Sequence, residues 1–136
     1  MHNLEAISPV DGRYRRVTEP LTNYFSEKAL INYRLAVEGE YLIALSEHPK
    51  IGVREFSQDE KDLIKGLYNI STEDAEIVKA IEVKGHGDIK PTNHDVKAVE
   101  YYMKEKLRGT SLEDCLEWVH FALTSEDTNN IAYALM

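Results

Sequence analysis

Apolar residues recur at three- and four-residue intervals along most of the chain, the period of a helix with one buried face. From Leu21 to about Glu47, the residues Leu30, Tyr33, Val37, Tyr41, Ala44 and Leu45 keep that spacing, and Pro49 and Gly52 follow as stops. Ser57 with Glu60 three residues on is a capping-box pair, opening a helix whose stripe is Leu63, Ile64, Leu67 and Tyr68. Ser71 with Asp74 repeats the start before Ile77, Val78 and Ile81, and that segment runs out in a flexible loop, Gly85-His86-Gly87-Asp88, closed by Pro91. Thr92 or Asn93 then caps a helix carrying Val96, Val99, Met103 and Leu107 and ended by Gly109. Ser111 with Asp114 opens a fifth helix, with Leu112, Cys115, Leu116 and Val119 inward. Thr124-Ser125-Glu126-Asp127 starts a sixth, with Ile131, Ala134 and Leu135 inward. No strand pattern of similar quality exists, so the chain is predicted to be all-α. Residues 1–20, with Pro9, Pro20 and the turn-like run Ser8-Pro9-Val10-Asp11-Gly12, read as an ordered but irregular arm. The last helix reaches Met136 without a Gly, Pro or basic stop, the pattern of a helix cut before its end.

Composition narrows the function classes. No apolar run approaches the ~18 residues of a membrane span, and no basic, apolar leader opens the chain. A single cysteine, Cys115, forbids an internal disulfide and a cysteine-based zinc cage, and points to a reducing, cytoplasmic setting. Lys and Arg number 16 against 24 Asp and Glu, a net charge of −8 with no basic cluster, which argues against a nucleic-acid surface. The acidity is uneven. Residues 1–50 hold 6 basic and 7 acidic groups, and Arg13, Arg15 and Arg16 lie together there, so a small anion has a local site while polyanions are repelled.

Three stretches concentrate polar groups beyond what a plain bundle needs. In Asp11-Gly12-Arg13-Tyr14 the glycine permits a tight turn, Arg13 offers a planar fork for phosphate or carboxylate, and Tyr14 adds a hydroxyl. Thr92-Asn93-His94-Asp95 sits at a helix start, where free N–H groups favour an anion and His94 can donate a hydrogen bond. Thr124-Ser125 offers two hydroxyls at another helix start; the same letters also satisfy an ordinary N-cap. His86, Asp88, His94 and Asp95 cluster in sequence, but their spacing matches no zinc or calcium pattern, so no metal is expected.

Together these stretches carry a resemblance. Ser8-Pro9-Val10-Asp11-Gly12-Arg13-Tyr14, then Thr92-Asn93-His94-Asp95-Val96-Lys97-Ala98-Val99-Glu100-Tyr101, then His120-Phe121-Ala122-Leu123-Thr124-Ser125-Glu126-Asp127 resemble the bacterial adenylosuccinate lyases of the aspartase/fumarase superfamily. The resemblance implies an all-helical protomer assembling as a homotetramer, with residues 1–111 as the N-terminal helical domain and 112–136 as the start of a central bundle. It implies elimination of fumarate from adenylosuccinate and from the succinocarboxamide ribonucleotide of purine synthesis, without a cofactor. Arg13, Tyr14, Asn93, His94, Asp95, Thr124 and Ser125 then fall at substrate-contacting positions, and His120 at a supporting one. The family's general acid, a later histidine, and its general base, a serine on a mobile loop, match nothing in this sequence. A competing expectation is a non-catalytic helical module that binds a phosphorylated small molecule or a protein partner.

Overall fold

The computed structural model describes residues 3–136 and is all-helical; among these residues the one β feature is an isolated antiparallel bridge between His86 and Ile89. Met1 and His2 of the expected arm lie outside the described residues. The arm is ordered but irregular, as expected: a 3-10 turn (Asn3–Glu5), α1 (Arg15–Thr18) and a second 3-10 turn (Glu19–Leu21), followed by a short α2 (Thr22–Phe25) where the first long helix was expected to begin. Its first loop is held by its own groups. Asp11 Oδ1 accepts from the Ser8 amide at 2.9 Å, and the Tyr14 amide donates to the Pro9 carbonyl at 2.9 Å.

The first long helix, α3 (Glu27–Glu47), begins six residues later than the apolar spacing suggests. Ser26 decides the start: its backbone is extended and its hydroxyl accepts from the Ala29 amide at 3.1 Å. The helix is buried on most of its circumference, not along one stripe, because α4 (Gln58–Lys65), α5 (Thr72–Val83), α6 (Asp95–Leu107) and α7 (Ser125–Leu135) all pack on it. Ile31, Leu35, Leu42 and Ile43 are its core residues, while Ala44 of the expected stripe is exposed. Gly39 lets α4 come close. A methyl there would stand 2.7 Å from Tyr68 Cε1 and 2.9 Å from Ile64 Cγ2.

Local capping explains the remaining starts. Ser57 and Glu60 form the full capping box, Ser71 accepts from the Asp74 amide, and Thr124 pairs reciprocally with Asp127. Leu63 of the second stripe is exposed, and Leu67 and Tyr68 lie beyond the end of α4. The segment after α5 is a tight bridged turn, not a flexible loop: Gly85 has φ +86°, and the His86 and Ile89 amides exchange 2.9 Å bonds. The cap of α6 is His94, rather than Thr92 or Asn93. The expected fifth α-helix is a 3-10 segment, Glu113–Trp118, although Leu112, Cys115 and Val119 do enter the core. On α7 the inward residues are Thr128 and Ala132, whereas Ile131 and Leu135 are each 52% exposed. Leu35, Leu42, Ile64, Ile81, Met103, Leu107 and Leu112 are fully buried, each contributing about 1.5–3 kcal/mol. No helix among the described residues is long and apolar enough to cross a membrane.

Candidate functional site

Two helix starts meet beside α3. The approach to the first is fixed to the end of α5: the Thr92 amide donates to the Ile81 carbonyl at 3.1 Å and the Asn93 amide to the Glu82 carbonyl at 2.9 Å. Asn93 takes a left-handed φ of +50°, which asparagine tolerates, and this turns the chain into α6. His94 then caps α6, its Nδ1 accepting from the Lys97 amide at 3.2 Å. An accepting Nδ1 leaves the hydrogen on Nε2, which lies 3.3 Å from Ser125 Oγ at the start of α7. The second and third sequence stretches, 31 positions apart at this contact, thus share one surface.

The chemistry of that surface follows from its partners. Both helix starts are capped, with the Val96 and Lys97 amides of α6 and the Asp127 amide of α7 already bonded to side chains, so their positive dipole ends rather than a row of free amides favour an anion. The Thr124 hydroxyl is already engaged, donating to Asp127 Oδ2 at 2.8 Å, so Ser125 is the freer hydroxyl for a ligand. Asp127 also accepts from the Thr124 amide at 2.7 Å; that bond, then the hydroxyl, holds its carboxyl below the usual range. Burial pushes the Asp95 carboxyl up, but Arg34, the Val96 amide and His94 outweigh it and keep it low. His94 and Asp95 are half exposed, which leaves the surface open to a solute.

Sequence reasoning missed what lies beneath. Arg34 of α3 is 4% exposed and reaches both motifs, Asp95 Oδ2 at 2.7 Å and Asn129 Oδ1 at 3.0 Å. One helical turn on, the fully buried Glu38 meets His120 Nδ1 at 2.6 Å and accepts from Thr128 Oγ1 at 2.9 Å. His120 sits in a left-handed turn, φ +62°, flanked by the Trp118 and Phe121 rings, whose centroids are 4.6 Å apart. Arg13 and Tyr14 are not joined to this cluster. On the arm, the Arg13 guanidinium lies 4.5 Å from the Tyr14 ring centre and donates to the Tyr14 hydroxyl. Among the described residues, no three His, Cys, Asp or Glu side chains gather as a metal site.

Known proteins are similar to this chain along nearly all of its length. The chain is 48% identical over 141 residues to the adenylosuccinate lyase of Buchnera aphidicola subsp. Schizaphis graminum, covering 100% of this chain and 29% of that protein. It is 44% identical over 137 residues to the adenylosuccinate lyase of Legionella pneumophila (strain Corby), covering 98% and 28% respectively. The chain belongs to the adenylosuccinate lyase family. The lyase of Escherichia coli (strain K12) is 42% identical over 139 residues, again with 100% of this chain covered and 29% of the relative. The chain therefore spans under a third of the length of the lyases it matches. No protein-family model matches it. Arg34 and Glu38 lie outside the three stretches that carry the lyase resemblance. A glycine in mid-helix beside Glu38 was the one sequence signal of unusual packing there.

Proposed function

We propose that this chain is the N-terminal part of an adenylosuccinate lyase and supplies substrate-binding groups to its pocket. The reaction removes a proton from the succinyl carbon next to a carboxylate, forms the double bond of fumarate and breaks the C–N bond while the nitrogen is protonated. Adenylosuccinate yields AMP and fumarate; the succinocarboxamide ribonucleotide is cleaved in the same way. No electrons enter or leave overall, so the elimination needs no redox cofactor. A phosphate and two carboxylates must be held by fixed donors. Asn93, His94 and Ser125 take that role, with Thr124 capping the start of α7, Asp95 accepting beside them rather than donating, Arg13 and Tyr14 delivered from the arm and His120 in support. Residues 1–111 form the N-terminal domain and 112–136 begin a central bundle through which the full-length cytoplasmic enzyme forms a homotetramer.

The observation that carries this reading is the 3.3 Å approach of His94 Nε2 to Ser125 Oγ, which places two helix starts around one open surface. In the full-length protein, His94→Ala should lower kcat/KM by on the order of 10²-fold, while His48→Ala and His86→Ala leave it nearly unchanged. Equal kinetics for the three variants would remove His94 from the site. The 136-residue chain alone should release no fumarate, followed by absorbance.

A further inference from the structure

Two local costs converge on a single contact. Glu38 is fully buried, and its Oε2 has no hydrogen-bond partner among the described residues. Burying a carboxylate with half its acceptor capacity unmet is unfavourable, and an apolar side chain of similar size would generally stabilise such a position. His120 holds a left-handed backbone at φ +62°, a region that a non-glycine residue occupies only when its surroundings impose it. The two meet at 2.6 Å between Glu38 Oε1 and His120 Nδ1, and Thr128 Oγ1 donates to the same oxygen at 2.9 Å. Ala122 is left-handed as well, at φ +58°, so the turn as a whole holds that backbone. The contact sets the ring itself, because a carboxylate behind Nδ1 fixes the ring plane and keeps the hydrogen on that nitrogen. His120 Nε2 is then the atom left for other partners. The His120 side chain is 16% exposed, four residues before Thr124, which caps the helix start that presents Ser125.

We propose that Glu38 is a positioning residue: it locks His120 in the Nδ1–H form and presents Nε2 as an acceptor on the substrate surface. The assignment rests on reading that surface as the lyase pocket. The logic is that of a carboxylate orienting a histidine from behind, here delivered by a buried turn of α3.

Ring-nitrogen chemical shifts of the isotopically labelled chain test it directly. The unmodified chain should show His120 protonated on Nδ1, and finding the hydrogen on Nε2 overturns the proposal even if no variant folds. Glu38→Gln should move the His120 signals toward the Nε2–H form, with circular dichroism unchanged. In the full-length protein the same change should lower kcat/KM at least tenfold, and Glu38→Asp should restore part of both readouts. Glu38→Gln that leaves the shifts in place, or that keeps kcat/KM within twofold while His94→Ala lowers it, overturns the positioning role. If His94→Ala is also without effect, the pocket reading fails, and the role assigned to Glu38 fails with it.

Discussion

Arg34 ties the central helix to both motifs, so its removal should register first as lost stability. In Arg34→Met the aliphatic stem stays packed while the guanidinium and its bonds to Asp95 at 2.7 Å and Asn129 at 3.0 Å disappear. Both bonds use the charged guanidinium, a class worth about 1.5–3 kcal/mol each, offset in part by the cost of burying that charge. Asp95 is half exposed, so water takes over part of its bond and this contact belongs at the low end of that range. The expected loss is therefore about 2–3 kcal/mol. With an unfolding entropy of about 2.1 cal/mol/K per residue, Tm should fall by about 7–10 °C. Thermal unfolding of the parent, Arg34→Met, Asp95→Asn and the double variant closes a cycle. Its coupling energy should be about 1 kcal/mol. Additivity within about 0.3 kcal/mol would show that the 2.7 Å contact carries no energy, and the argument that α3 braces the site would fail.

Three further outcomes follow from the geometry. Arg54 and the Ser57 amide hold the Glu60 carboxyl down from 4.5 to about 2, and Tyr102 and Lys106 hold Asp74 down from 3.8 to about 2. Their stabilisation is complete above pH 4.5 and is lost as pH falls toward 2, so Glu60→Gln should be less stable at pH 7 yet show a shallower acid decline in denaturant titrations; an unchanged slope would refute the pairing. Gly39→Ala gains helix propensity but drives a methyl into Tyr68 and Ile64, and should lose about 1–2 kcal/mol by chemical denaturation; a stabilised variant would contradict the close approach. In the full-length protein, Arg13→Lys should weaken substrate binding roughly tenfold, because lysine cannot reproduce a two-bond fork, while Arg15→Lys should change it little; equal titrations would remove Arg13 from phosphate binding.

What the sequence revealed and what it hid divide along a physical line. The starts at Ser57, Ser71 and Thr124 were legible because a cap is settled by residues within three positions of it. The start at Ser26 was masked by apolar residues ahead of it, Leu21, Tyr24 and Phe25, which keep the helical rhythm but are exposed in the structure. The inward face of α7 was misread for a related reason. Thr128 and Ala132 are small enough for close packing on α3, so the larger Ile131 and Leu135 turn outward. His94, Asp95 and Ser125 were named from their motifs, yet their support was not. Arg34 and Glu38 are charged, and a charged residue in a long helix reads as surface until the partner elements that surround it are known.

The arm has an energetic consequence of its own. None of α1, the Glu19–Leu21 turn or α2 contains a buried residue. Its amides should therefore exchange with solvent through small openings that leave the rest of the molecule folded, whereas those of α3 and α6 should wait for global unfolding. Arg13 and Tyr14 ride on the part of the chain that is cheapest to disorder. An anion captured there must also still the segment that captures it, and each residue so fixed costs about 1–2 kcal/mol. Affinity at that end is thus a measure of how well the arm is already held, and a change that only stiffens it would tighten binding without touching the ligand.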